Sequence, residues 1–559
     1  MASLMVEDCR PGDAITTDGR PESAVTGFPR PGALALLVAL IAFALLLGTA
    51  GDIGVTWDEP IYAVSAENAA WWLGTLLRDP AAAFAPESIG RGWGLAHEQP
   101  PLVRLVIGLG WALTREWLPL PLAHRVGNTA LAAALASLVA YWGARTFGGR
   151  AGVFAAAALL AMPRLFFHAH LAALDLPAAL LWTATAAAFW WAWPRRGIRA
   201  WLIPALVYGL ALYTKISTAI MPLALLTWGA VLVRGQGAQS WRQLLGRLAL
   251  LPLLGAPLSL LLWPWMLGDT ATKLRWYLSY FTISHPQIGQ WFAGQYYMTV
   301  PWYVPPLIIL LVTPLTILAM AGAGLCVGSQ ADGRRTRLLW GLNIAVAVGW
   351  YLRPGRQLWD QERLLMPALP FIALLAGAGF AALADWCKRR AWPRWALALM
   401  ALLLLTPGAL GIARWHPYEL AYYSAVIGGP RGAAALGLES TYWSATYAHF
   451  LPVLNETAPT GATVWVMPNS YDVMFYYQAA GRLRPDLVLL RPPGWGSFYD
   501  GQGVPWAAGE IEDADIVLLE MRQTGFTDAV RAFRAAHVPA QRLTRHGVTL
   551  AELYWKDGD

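Results

Sequence analysis

The stretch Thr56–Tyr62, TWDEPIY, places two adjacent carboxylates, Asp58 and Glu59, directly after the first long apolar run. An ionised carboxylate is costly in hydrocarbon, so such a pair belongs at the far membrane face, aimed at something polar, as the catalytic corner of a membrane enzyme. Asp58 has two readings, a general base or the cap of a helix that begins with Pro60. Asp175, just before Leu176 and Pro177 at the start of another apolar run, has the same ambiguity between a cap and a carboxylate that orients a ligand or balances charge. Four cations are candidates to hold an anion, Arg104, Arg125, Lys215 and Arg363, and of these Arg125 and Lys215 stand where a charge is unusual unless an anion is near. Guanidinium groups hold phosphate oxygens in bidentate fashion, and snorkelling towards headgroups would explain any single one of the four but not the set. Arg353 and Arg356 read as headgroup contacts. His168 and His170 lie two apart, which does not put them on one helical face, so with His97 they read as interfacial polar contacts and no metal site is assigned.

The elements that must position these residues follow from composition. Of 559 residues 57% are hydrophobic and 13% charged, about half the charge of a soluble globular chain, so most of the protein sits in lipid. The net charge of +7 is spread over short basic clusters between apolar runs, not gathered on one face, and nucleic acid is not a partner. Three cysteines far apart imply neither a disulfide framework nor a CxxC metal site. Residues 1–30 are polar and read as a cytoplasmic, disordered N-terminus. The next run, 32–50, reads as a retained anchor and not as a cleaved signal.

Apolar runs near 32–50, 122–142, 151–166, 176–193, 200–214, 217–233, 248–267, 305–327, 338–352, 364–384 and 395–413 predict about eleven spans. The basic clusters around Arg145/Arg150, Arg195–Arg199, Arg234–Arg247, Arg334–Arg337 and Lys388–Arg394 then fall on one side with the N-terminus, which is the cytoplasm. This holds only if the stretch 100–118, which opens with Pro-Pro and contains Arg104 and Arg115, lies along the membrane. Two juxtamembrane helices, about 60–78 and 100–113, are therefore expected in the first external loop. The loop 268–304 carries many aromatic residues, among them Trp291, Tyr296 and Tyr297. Rings there form membrane belts or stack on a ligand, and with His97 this loop is the candidate substrate lid.

Beyond residue 413 strand-like runs at 463–467, 487–490, 516–520 and 548–555 alternate with helical stretches near 443–457, 471–479 and 526–537, which predicts a small C-terminal α/β domain over 414–559. The expected fold is mainly α, a polytopic transmembrane helical bundle over 31–413 with this domain on the outer side.

Four motifs, TWDEPIY, HEQPPLVR, HLAALDLP and QERLLMPALPF, together resemble the glycosyltransferase-C superfamily, in the branch that holds protein O-mannosyltransferases and lipid A aminoarabinose transferases. The stretches HPYELAYYSAVIGG and ESTYWS are similar to the tail of bacterial members. The resemblance implies inverting transfer of a hexosyl or pentosyl group from a polyprenyl-phosphate-linked donor to a lipid, glycan or protein acceptor, on the periplasmic face of a bacterial inner membrane. It places the catalytic acids on Asp58, Glu59 and Asp175, with Glu59 positioning the donor sugar or a basic neighbour. Its basic elements fall on Arg104, where a lysine is usual, and on Arg363. With Arg125 and Lys215 these would hold the donor phosphate. No cofactor is implied; a divalent cation stays open. Rival readings are a transporter or lipid flippase, which predicts inverted repeats and midplane charge that the sequence does not display, and a non-catalytic scaffold.

Overall fold

A computed structural model of the protein describes residues 29–281, 287–328, 331–501 and 503–556. The segment 1–28 read as a disordered N-terminus, and residue 285 of the aromatic loop, lie outside them. The first helix, Pro31–Thr49, opens on a proline and is apolar on every side, with Leu36, Leu37, Leu40 and Ile41 exposed and Ala42 and Leu46 buried. A helix apolar all round is one that faces lipid. It packs on Leu122–Phe147, and that helix on Gly149–Leu160.

Six of the expected span positions hold helices long and apolar enough to cross a membrane: Pro31–Thr49, Leu122–Phe147, Ile216–Val233, Ala238–Leu261, Gln361–Arg389 and Arg394–Trp415. This is a multi-pass membrane protein. The helices Gly149–Leu160, Asp175–Ala192, Ile198–Leu212 and Ala331–Gly349 occupy four further positions and are shorter or less apolar. The run expected as one span at 305–327 is broken into Val304–Val312 and Leu315–Cys326, bent by 114°. Thr313 is extended there because the ring of Pro314 excludes the helical conformation from the residue before it. Leu315–Cys326 instead approaches Leu369–Arg389 closely, where a Cβ on Gly324 would stand 2.0 Å from the Leu375 carbonyl.

The two juxtamembrane helices are Glu59–Arg78 and Leu102–Thr114. They lie side by side, and Gly54 just ahead of them lets the chain pass the segment that follows the last long helix. A Cβ on Gly54 would sit 2.0 Å from the Ala445 carbonyl.

Two short strands, β1 (Gln290–Phe292) and β2 (Gln295–Tyr297), form a hairpin in the aromatic loop. The C-terminal domain holds β3 (Thr463–Met467), β4 (Val488–Arg491), β5 (Trp506–Ala508), β6 (Ile516–Glu520), β7 (Gln541–Arg545) and β8 (Val548–Trp555) in the order β5-β4-β3-β6-β8-β7. The first four run parallel, while β8 is antiparallel to both β6 and β7. Alternate residues face opposite layers: Val464, Val466, Ile516 and Leu518 pack with helix Tyr471–Ala479, and Trp465, Met467, Val517 and Leu519 with helix Asp528–Ala536. β5 and β7 were not expected. They are the two edges of the sheet, β5 is three residues long, and β7 buries only Leu543, so neither needs an apolar run.

Candidate active site

Asp58 and Glu59 are consecutive and go separate ways. Glu59 opens its helix, and its carboxylate is fully buried. Arg125 grips it through Nε to Oε1 at 2.7 Å and through a terminal nitrogen to Oε2 at 2.6 Å. The Thr56 and Ala172 amides donate to the same carboxylate at 2.9 and 3.0 Å. Arg125 and these amides together hold it below the usual glutamate range despite its burial. Arg125 in turn donates to the carbonyls of Ala50, Ile53 and Gly54.

Asp58 instead lines a cleft of 630 Å³ together with Trp57, Tyr62, Glu98, Lys215, Arg356 and Arg363, and with Asp472 and Phe498 of the C-terminal domain. Its Oδ2 accepts from Arg363, and Oδ1 has no hydrogen bond among the described residues. Arg363 also donates to Asp175 Oδ2 at 2.6 Å and to Asp360 Oδ2 at 3.1 Å, and Lys215 donates to the other oxygen of Asp175. One guanidinium therefore serves three carboxylates. Burial raises Asp58 above the usual aspartate range, against the pull of Arg363 and with the push of Asp175 and Asp360. The side chain of Asp58 does not cap its helix.

The expected site residues thus divide. Asp58, Asp175, Lys215 and Arg363 converge at the cleft, three of them lining it and Asp175 bound to two of the others. Arg125 and Glu59 satisfy each other behind it. Arg104, expected to hold the donor phosphate, is completely buried, donates to the carbonyls of Leu95 and Gln99 at 2.8 and 2.9 Å, and stacks over Trp93; its neighbours Glu98 and Gln99 reach the cleft in its place. His97 sits between the rings of Trp265 and Trp276, at 4.7 and 4.8 Å, and is not a cleft residue. Trp291 donates its amide to Thr524 and lies under Arg531, so the hairpin leans on the C-terminal domain. Tyr296 and Tyr297 also stand outside the cleft lining; among the described residues of that loop, Phe281, Gln287 and Ile288 reach it.

The other two histidines also have separate partners. His168 meets the Tyr442 hydroxyl at 3.2 Å, and His170 meets Thr49 at 2.8 Å and the Phe166 carbonyl at 2.7 Å. Among the described residues no group of three or more His, Cys, Asp and Glu side chains is placed to hold a metal.

Arg356, read from sequence as a headgroup contact, is a cleft residue. Its guanidinium lies 4.8 Å from the ring centre of Trp350, with Arg353 on the same ring at 3.6 Å, and it has no carboxylate partner among the described residues. Its loop is clipped in place by Gln357, which bonds to Gln287 at 3.1 Å and accepts from the Ile288 amide at 3.3 Å.

Comparison with known proteins fits this geometry. Residues 98–263, from the acid beside His97 to just past helix Ala238–Leu261, match the family described as dolichyl-phosphate-mannose-protein mannosyltransferase. ArnT from Cupriavidus metallidurans in the apo state superposes with a TM-score of 0.51 at 16% identity, over 93% of this chain and 97% of that one. The chain shares the fold of that protein. ArnT bound to undecaprenyl phosphate aligns over the same shares of both chains with a TM-score of 0.49, at 16% identity. The archaeal oligosaccharyltransferase AglB from Archaeoglobus fulgidus, in complex with an inhibitory peptide and a dolichol-phosphate, aligns at 13% identity with a TM-score of 0.46, over 88% of this chain and 69% of that one. No curated protein sequence matches the chain. In this bundle the cleft lies where the segment after the first helix, the segment before helix Leu369–Arg389 and the C-terminal domain meet.

Proposed function

We propose that the protein transfers a sugar, with inversion, from a polyprenyl-phosphate-linked donor to an acceptor hydroxyl, in the cleft beside Asp58 on the periplasmic face of a bacterial inner membrane. The observation that carries this reading is a mostly buried carboxylate with a raised pKa that shares a cleft with Arg356; among the described residues one of its oxygens is unengaged and Arg356 has no carboxylate partner. The match of residues 98–263 to a family that uses a polyprenyl-phosphate sugar supports the donor class. The positive clusters between the helices support the side.

Asp58 takes the proton of the acceptor hydroxyl as its oxygen forms a bond to the anomeric carbon. The bond from that carbon to the phosphate oxygen breaks on the opposite face, and the lipid phosphate departs with the electron pair. Arg356 and Lys215 receive its charge, so no general acid is needed. Arg363 orients Asp58 and Asp175. The acceptor, a lipid, glycan or protein, enters between the first external loop and the C-terminal domain, and the prenyl chain stays in the bilayer. Membranes holding the wild type and Asp58→Asn at equal level, supplied with radiolabelled polyprenyl-phosphate hexoses and pentoses, test this. Consumption by the wild type alone is expected. No consumption by the wild type across donors and acceptors would favour a transporter or a scaffold.

A further inference from the structure

The C-terminal domain contributes more than a wall to this cleft. The carboxyl ends of β3 and β6 point their loops at the membrane bundle, and Arg522 stands two residues beyond β6. Its guanidinium donates to Asp360 Oδ1 at 2.7 Å. The other oxygen of Asp360 accepts from Arg363 at 3.1 Å and from the Trp443 indole at 3.2 Å. A single carboxylate therefore joins a cation of the C-terminal domain to the cation that holds Asp58.

Charge makes this link consequential. Asp58 faces Arg363, Asp175, Asp360 and Tyr62, and shares the cleft with Glu98, Asp472, Lys215 and Arg356. Arg522 faces Asp360, Glu439, Glu520 and Arg363. Without Arg522, Arg363 would be the one cation left to Asp360 among the described residues, beside the neutral Trp443 indole, and Asp360 would compete for it with Asp58 and Asp175.

The backbone supplies an independent sign. Asp360 and Gln361 are consecutive residues with φ of 54° and 52°, and opposite them Trp443 and Ser444 have φ of 77° and 65°. Non-glycine residues rarely adopt this region, and pairs of them persist only where the surroundings over-determine them. Here the second pair is pinned by the C-terminal domain, with the Ser444 amide donating to Glu520 and its hydroxyl meeting Ser470, each at 2.6 Å. The Trp443 ring then lies 4.3 Å from the Arg363 guanidinium.

We infer that Arg522 is a positioning residue of the reaction, which binds Asp360 from the C-terminal domain and so reserves Arg363 for Asp58 and Asp175. This rests on the glycosyl-transfer reading above. The test compares full-length wild type, Arg522→Ala and Arg522→Lys in lipid nanodiscs, measuring kcat and donor KM across pH, thermal unfolding, and amide hydrogen exchange over residues 358–364. Arg522→Ala is expected to lower kcat roughly tenfold to a hundredfold with donor KM little changed. Its acid limb should move up by about one pH unit, because Asp58 loses part of its hold on Arg363 and keeps its proton more tightly. Exchange at 358–364 should quicken, and Arg522→Lys should recover most of the rate. An unmoved limb with unchanged exchange overturns the inference. So does a loss that is equal at every pH, tracks a fall in unfolding temperature and is not recovered by lysine. If the wild type transfers no sugar the reaction reading fails, while the exchange data still decide whether Arg522 holds the segment.

Discussion

Asp58 and Glu59 are neighbours in the chain and opposites in the structure. Glu59 has both oxygens engaged, a guanidinium it shares with backbone carbonyls but with no other carboxylate among the described residues, and a pKa held low. Asp58 shares one guanidinium with two other acids, has an oxygen unengaged among the described residues, and has a raised pKa. A fully satisfied buried charge builds structure, and an under-neutralised one at a cleft is available for chemistry. The chain turns into a helix between them, so adjacency in sequence becomes separation between a wall and a working face.

Exchanging each carboxylate for its amide should expose that difference. Asp58→Asn should lower kcat by roughly 10²–10⁴-fold while leaving the unfolding temperature unchanged, since it deletes the base and a like charge at once. Glu59→Gln should do the reverse. Uncoupling the buried Arg125 should cost about 3–5 kcal/mol of stability, read as lost yield of folded protein or a lowered melting temperature. If Glu59→Gln is stable and inactive while Asp58→Asn is active, the two roles are interchanged.

The wild-type pH profile sharpens the contrast. A base must be ionised to work, and burial raises Asp58, so activity should fall as pH drops through a value above the ordinary aspartate pKa of about 3.9. A rate constant that stays flat down to that value would remove Asp58 as the base. Next in size, Arg356→Ala should raise the donor KM about tenfold with little change in kcat, whereas Arg353→Ala should leave both near wild type. Equal effects from the two would return Arg356 to the role of a headgroup contact.

The smallest effect belongs to the C-terminal domain. Glu439 and Glu520 are buried, which pushes each up to about 7 in spite of hydrogen bonds and nearby Arg522. A carboxyl whose folded pKa exceeds its unfolded value of about 4.3 is no burden below that pH and costs stability as pH rises towards and through 7. Thermal stability should therefore decline between about pH 5 and pH 8, and Glu439→Gln with Glu520→Gln should flatten the decline.

Much of the site was legible because its residues break a local pattern. Asp58, Asp175, Lys215 and Arg363 each stand at the end of an apolar run, where the cost of a charge demands a reason. The same rule marked Arg104 and Arg125 and could not show that backbone carbonyls and Glu59 consume them, since Arg125 meets Glu59 across 66 residues. Arg356 lies in a Pro-Gly turn beside a tryptophan, which reads as an ordinary interfacial anchor. Arg522 is one arginine in a polar tail, 162 residues from Asp360, and no spacing announces that contact. In the fold, the strands with buried faces were evident from their apolar runs, while the edge strands were not. The break at Thr313–Pro314 was written in the proline yet hidden within a continuous apolar stretch.

The bond between Arg522 and Asp360 also has a consequence in time. A chain emerges from the ribosome from its N-terminus, and domains fold broadly in that order. The bundle with Asp58, Asp175 and Lys215 would be threaded into the membrane while the last strands were still being made. If the proposed function holds, its reaction centre would stay incomplete until residue 522 had been made and the final domain had closed over it. Synthesis itself would then act as a safety catch, so that a truncated or stalled chain left in the membrane would be inert towards the lipid carriers around it.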